Sequence, residues 1–283
     1  MSSHISLDTC ITLNNGVKIP IFGLGTYKAK SGGETERAVL SALEVGYHHI
    51  DTAAIYGNEE DVGKALHKSE VPREEIFVTT KLWNRDHGYE SALNAFEKSL
   101  KRLKLDYVDL YLIHWPVEEL RLETWKALEK IYKEGKARAI GVSNYMQWHL
   151  DELLPVAEFV PAVNQIEFSP YLYQKDLQQF CEERGIKIEA YSPLTKGKKL
   201  DDPRLKQIAQ KYNKTTAQIL LRWAVQKGTI VLAKSSKYER ILENASIFDF
   251  EISQQDMKTL DQFDEGLRTG WDPSTQKLWK DSR

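Results

Sequence analysis

Eight short apolar segments, roughly 25–40 residues apart and separated by amphipathic helical patterns, run through this chain of 283 residues. They are IFGLGTY from Ile21, HHIDTA, Ile76–Trp83, Val108–Trp115, Ala137–Ser143, Ala162–Phe168, Lys187–Ser192 and Thr229–Ser235. Each has the length of a strand. Between them, patterns such as GYESALNAFEKSLKRL place Leu93, Phe96, Leu100 and Leu103 at helical spacing. Eight β/α repeats without a linker predict an α/β fold, a (β/α)8 TIM barrel forming one domain over 1–283. Two apolar runs around Asn14-Asn15-Gly16, from Ile11 to Ile19, predict an N-terminal β-hairpin that could plug one end. PRLKQIAQKY, TAQILLRWAVQKG, KYERILENA and SQQDMKTLDQF predict extra C-terminal helices, and the tail from Asp264 reads as irregular. A doubly wound sheet is the alternative. Its dinucleotide fingerprint fails here, because Gly23-Leu24-Gly25 is followed by Thr26, Tyr27 and Lys28.

Charge narrows the partners. With 39 basic and 41 acidic residues the net charge is -2, which argues against nucleic acid and membrane surfaces. Cys10 and Cys181 lie far apart without a CxxC, so neither a disulfide framework nor a zinc site is expected. MSSHISLDTC has no basic region followed by an apolar run, and no apolar run approaches ~18 residues. The expectation is a cytoplasmic, monomeric protein in a reducing compartment.

Chemistry in such barrels sits at the carboxyl ends of the strands. Those ends carry Asp51, Lys81, His114, Ser143-Asn144, Gln165, Tyr191 and Lys234-Ser235. YHHIDTAAIYGNEE predicts strand, loop and helix, with Asn58 as N-cap and acids in the first helical turn. Asp51 then ends the strand and Tyr56 sits in the loop. A strand-end Asp that caps a loop and a Tyr that packs on the rim would explain these two residues equally well. A lysine ending IFVTT is harder to place, unless it points into the barrel mouth and Asp51 neutralises it. No metal site is expected, since no HExxH occurs and His48 and His49 should face opposite sides of a strand.

HIDTAAIYGNEEDVG, FVTTKLWN, DLYLIHWP, AIGVSN, VNQIEFSP and AKSSKYERILEN together resemble the aldo-keto reductase superfamily, in its order and spacing. The resemblance implies reduction of aldehydes and ketones with NADPH, and puts the catalytic Asp, Tyr, Lys and His on Asp51, Tyr56, Lys81 and His114. It implies that Tyr191 stacks on the nicotinamide and that Ser143, Asn144 and Gln165 hold its carboxamide. By the same resemblance, Gly25, Thr26, Asp51, Ser192 and Leu194 would complete the cofactor's surroundings. Lys234, Ser235, Ser236 and Arg240 would clamp the adenosine 2′-phosphate, with Glu243 and Asn244 facing the adenine. One departure stands in the clamp: the family usually has Pro before this lysine, and here it is Ala233. Tyr27, Trp83, His114, Trp115 and Trp271 would line the substrate pocket. The tail resembles the short tails of microbial members that reduce ketones, keto sugars and reactive dicarbonyls.

Physical chemistry is consistent with those roles. Hydride attack leaves charge on the carbonyl oxygen, which then needs a proton. A tyrosine with a pKa near ~10 is a reluctant acid. A lysine ammonium against the phenol is expected to lower that value, with Asp51 holding the lysine and neutral His114 orienting the carbonyl. Two other readings are weighed. The same barrel serves as a non-catalytic binding or structural protein, but here all four positions are intact. A sugar-phosphate isomerase would need a phosphate loop and a carboxylate base, where this chain has Tyr and Lys.

Overall fold

In the computed structural model, which describes residues 5–274, the chain forms a closed parallel barrel preceded by a hairpin. The hairpin is β1 (Cys10–Thr12) and β2 (Lys18–Pro20), paired antiparallel with Ile11 opposite Ile19. The barrel strands are β3 (Phe22–Gly25), β4 (His49–Asp51), β5 (Phe77–Leu82), β6 (Val108–Ile113), β7 (Ala137–Ser143), β8 (Val163–Glu167), β9 (Lys187–Tyr191) and β10 (Ile230–Ala233). They follow one another around the barrel, and β10 closes it by pairing with β3. Two helices, Pro203–Tyr212 and Thr216–Gln226, lie between β9 and β10; Tyr238–Ala245 and Gln254–Asp261 follow β10. This is the predicted α/β architecture. The strands are one to three residues shorter than most of the apolar segments, because several segments run on into the loops at the mouth. The tail has no regular structure as far as Ser274; its remainder, and the first four residues of the N-terminal stretch, lie outside the described residues.

Strand alternation divides the side chains into two sets. Outward residues such as Ile50, Val78, Tyr111, Ile113, Ile140 and Ile188 pack against the helices in the larger core. Inward residues form a second cluster of Phe77, Leu110, Leu112, Ala139, Val163 and Ile230, which Leu13 and Ile19 of the hairpin join from below. The hairpin therefore plugs the amino-terminal end of the barrel. Above that apolar floor the interior turns polar, with His49, Thr79, Gln165 and Glu189 all buried. Gly23 makes room for this layer: a Cβ there would stand 2.8 Å from the His49 ring.

Two local expectations change. Asn58 occupies the N-cap position of the helix Glu59–Lys68 but makes no capping bond. Its Nδ2 instead donates to the carbonyls of Thr26 and Ala29, and its Oδ1 accepts from Thr52 Oγ1. Three buried loop groups compete for that side chain, so it ties the β3 and β4 loops together. Tyr47 lies outside β4 and donates its hydroxyl to the Ile241 carbonyl. Cys10 and Cys181 are both free.

Candidate active site

Asp51 ends β4 and Lys81 lies near the end of the neighbouring β5. Lys81 Nζ donates to Asp51 Oδ1 at 2.6 Å, Asp51 Oδ2 at 2.7 Å and the Thr52 carbonyl at 2.9 Å. These three bonds use all of the ammonium's N–H groups. Burial pushes the Asp51 carboxyl up, while Lys81 and the amide of Gln165 pull it back toward the anion. Tyr56 closes a single 3-10 turn, Ala54–Tyr56, with its ring 5.1 Å from Lys81 Nζ and 5.7 Å from the His114 ring. The expectation that Lys81 lowers the Tyr56 pKa is not met. Burial and then the Asp51 carboxylate hold the phenol well above its ordinary value. Lys81 gives its N–H groups to Asp51 and the Thr52 carbonyl, which leaves none for the phenol. His114 is pushed far below 6.5 by burial and by Lys81, which leaves a neutral imidazole beside the phenol.

The side chains expected around the nicotinamide surround this pair. Ser143 Oγ donates to the Gln165 carbonyl at 2.7 Å, and Asn144 Nδ2 donates to Ser143 Oγ and to the His114 carbonyl, both at 3.0 Å. Tyr191 donates its hydroxyl to Asn144 Oδ1 at 2.7 Å, which fixes the ring on the rim. Thr26, following Gly25, donates its Oγ1 to the Asp51 carbonyl at 3.0 Å. Ser192 and Leu194 lie in the loop after β9, where Ser192 adopts a left-handed φ of 51°. Lys234, Ser235 and Ser236 follow β10; Arg240, Glu243 and Asn244 lie on the helix Tyr238–Ala245. Among the described residues neither Lys234 nor Arg240 has an acidic partner, and both are exposed.

Aromatic rings cover the other side. Trp83 lies edge-on to His114 at 5.3 Å, and Tyr27, 46% exposed, leans on Tyr56 at 5.1 Å. Trp271 reaches back from the tail to pack against Trp115 at 5.4 Å and Trp83 at 6.3 Å. Its approach is anchored. Glu167 of β8 accepts the backbone N–H of Thr269 at 2.8 Å and of Gly270 at 3.2 Å, and Lys196 donates to the Thr269 carbonyl at 2.7 Å.

The profile of the Aldo/keto reductase family matches residues 21–265. The chain belongs to the aldo/keto reductase family. This aldo-keto reductase is 54% identical over 268 residues to a protein described as glyoxal reductase from Bacillus subtilis, covering 95% of this chain and 97% of that one. It is 48% identical over 278 residues to a morphine 6-dehydrogenase of Pseudomonas putida, covering 93% and 94%. A crystal structure of a Bombyx mori aldo-keto reductase in complex with NADP superposes with a TM-score of 0.87, at 39% identity and 93% and 95% coverage.

Three residues in the reductase's mouth escape the strand-end reading. Glu167 anchors the tail, and Glu189 and His49 lie beneath Asp51. The signal was present in alternation. In KIEAY, Lys187, Glu189 and Tyr191 share the inward face, and VNQIE places Val163, Gln165 and Glu167 likewise. His48, by contrast, faces out and bonds the Glu75 carbonyl, so the two histidines do part.

Proposed function

We propose that Asp51, Tyr56, Lys81 and His114 carry out the reduction of aldehydes and ketones to alcohols with NADPH, Tyr56 giving the proton. The observation that carries this reading is the neutral Tyr56–His114 pair on the floor of an aromatic pocket, backed by the buried Lys81–Asp51 pair. When bound, the dihydronicotinamide supplies the hydride. A ring N–H of His114 orients the carbonyl oxygen, and the Tyr56 hydroxyl passes its proton to that oxygen as charge develops. A phenol held above its ordinary pKa is protonated at neutral pH, as a donor must be. The neighbouring Asp51 carboxylate adds to burial in keeping that proton on the phenol.

The residues present fit the cofactor. Gln165 Oε1 has no partner among the described residues, Tyr191 is pinned at the rim, and two unpaired cations flank the loop after β10. Lys234 and Arg240 suit a 2′-phosphate, and so favour NADPH over NADH. The intact quartet argues against a non-catalytic barrel. The likeness to glyoxal reductase supports reactive dicarbonyls among the substrates. We also infer a cytoplasmic monomer that binds neither nucleic acid nor membrane; the net charge of -2 supports the absence of those two partners. Loss of nicotinamide absorbance on mixing NADPH, enzyme and a panel of aldehydes, ketones and dicarbonyls tests the function. Carbonyl-dependent oxidation of NADPH is expected; none with any carbonyl would refute the reading.

A further inference from the structure

Glu189 stands at the centre of β9 and points into the barrel, fully buried. Its Oε2 accepts from Gln165 Nε2 at 2.5 Å, and the same nitrogen donates to Asp51 Oδ2 at 2.9 Å. A primary carboxamide has two N–H groups, and here each has one acceptor. Turning the amide over would set its carbonyl oxygen against the Asp51 carboxylate, so one orientation is strongly favoured. The other Glu189 oxygen makes no hydrogen bond and faces His49 Nε2 at 3.5 Å.

The groups around Glu189 come from four strands. β4 contributes His49 and Asp51, β5 contributes Thr79 and Lys81, β8 contributes Gln165, and β10 offers only apolar Ile230 in register. Burial, and then the Asp51 charge, push the Glu189 carboxyl up to about 8. Burial and Lys81 lower His49 to about 3. Burial thus favours the uncharged form of both. A neutral acid can accept from Gln165 through one oxygen without setting a second anion beside Asp51.

We propose that Glu189 is a positioning residue for the cofactor: with Asp51 it turns the Gln165 amine inward, leaving the amide oxygen at the mouth to accept from the nicotinamide carboxamide. This inference rests on the NADPH reading above. Asp51 alone would satisfy one N–H and leave the amide free to tilt. The second acceptor removes that freedom before the ligand arrives, which is where preorganisation gains affinity.

The test measures dissociation constants for NADPH and for adenosine 2′,5′-bisphosphate, which carries the phosphate but no nicotinamide. Glu189→Leu removes the acceptor, while Glu189→Gln keeps a carbonyl oxygen in its place. NADPH should bind Glu189→Leu about five- to tenfold more weakly. The bisphosphate should be unaffected, and Glu189→Gln should recover most of the loss. In a Gln165→Leu background, Glu189→Leu should cost nothing further, because there is no amide left to position. If Glu189→Leu does not fold, Glu189→Met replaces it at similar length. Unchanged NADPH affinity, equal weakening of both ligands, or an undiminished loss in the Gln165→Leu background would overturn the proposal. A wild-type enzyme that binds no NADPH would instead refute the underlying function.

Discussion

Lys81 grips Asp51 through both carboxylate oxygens, at 2.6 and 2.7 Å, inside a barrel that leaves the lysine no exposed surface. Removing one partner of such a pair strands the other in a poorly solvated place. Lys81→Met should therefore lower the unfolding free energy by about 3–5 kcal/mol, and adding Asp51→Asn should recover part of it. Denaturant titration of both variants checks this. Simple addition of the two losses would mean that the residues do not act as a pair.

Tyr56 offers the opposite case. Its hydroxyl has no hydrogen-bond partner among the described residues, so the fold does not depend on it. Tyr56→Phe should keep the melting temperature and the NADPH affinity while turnover falls by about two orders of magnitude or more. Near-wild-type turnover in the purified variant would end the assignment of Tyr56 as proton donor.

Arg240 is exposed and has no ion-pair partner among the described residues, which leaves its guanidinium available to a phosphate. A charge-assisted contact of this kind is worth roughly 1.5–3 kcal/mol, or about ten- to a hundredfold in affinity. Arg240→Ala should weaken NADPH by that factor and leave NADH nearly unchanged. Equal losses for both cofactors, measured by fluorescence titration, would count against the clamp.

Trp271 packs on Trp83 and Trp115, so it borders the proposed substrate pocket from the tail side. Trp271→Ala should raise KM for a bulky aromatic aldehyde several-fold and leave a two- or three-carbon aldehyde nearly untouched. Steady-state kinetics with one aldehyde of each size decide it. If both lose efficiency by the same factor, the ring serves packing alone.

Glu189 makes stability depend on pH. Its carboxyl titrates near 4.5 in the unfolded chain and at about 8 in the folded one. Below 4.5 both states hold the proton, and this group adds no pH dependence. Between those values only the folded state keeps it, so stability falls as pH rises; above about 8 the cost is constant. Glu189→Gln cannot titrate. Its stability relative to wild type should therefore rise between about pH 5 and 8, by up to about 1.4 kcal/mol per pH unit. Denaturation midpoints that keep a constant offset across this range would show that Glu189 is ionised in the fold.

Much of this was legible in the chain because a parallel barrel writes its strands as short, bounded apolar segments. Val108–Ile113 and Ala137–Ser143 are such cases, each leading straight to a position of the proposed site, His114 or Asn144. Motif spacing marked Asp51, Tyr56 and Lys81. What spacing could not show is how the mouth divides its bonds. Lys81 was expected to act on the phenol, but the Thr52 carbonyl takes its third N–H. Asn58 looks like a cap in one dimension and serves three loop groups in the fold. Glu189 lies between Ile188 and Ala190 in the middle of its strand, not at the strand end where such barrels place their chemistry. Alternation puts it on the face of Tyr191, but its bonds to Gln165 and its place beside Asp51 come from strands far apart in the chain.

The hairpin that seals the foot of the barrel has a kinetic consequence. Leu13 and Ile19 pack with the apolar floor beneath Glu189 and His49, so the polar mouth is the route by which we expect protons to exchange with those two groups. If the cofactor sits over Gln165 as proposed, it would close that route. Whatever protonation the buried acid carries when the ligand enters is then retained for the length of its stay, and a pH jump should reach the interior no faster than the ligand leaves.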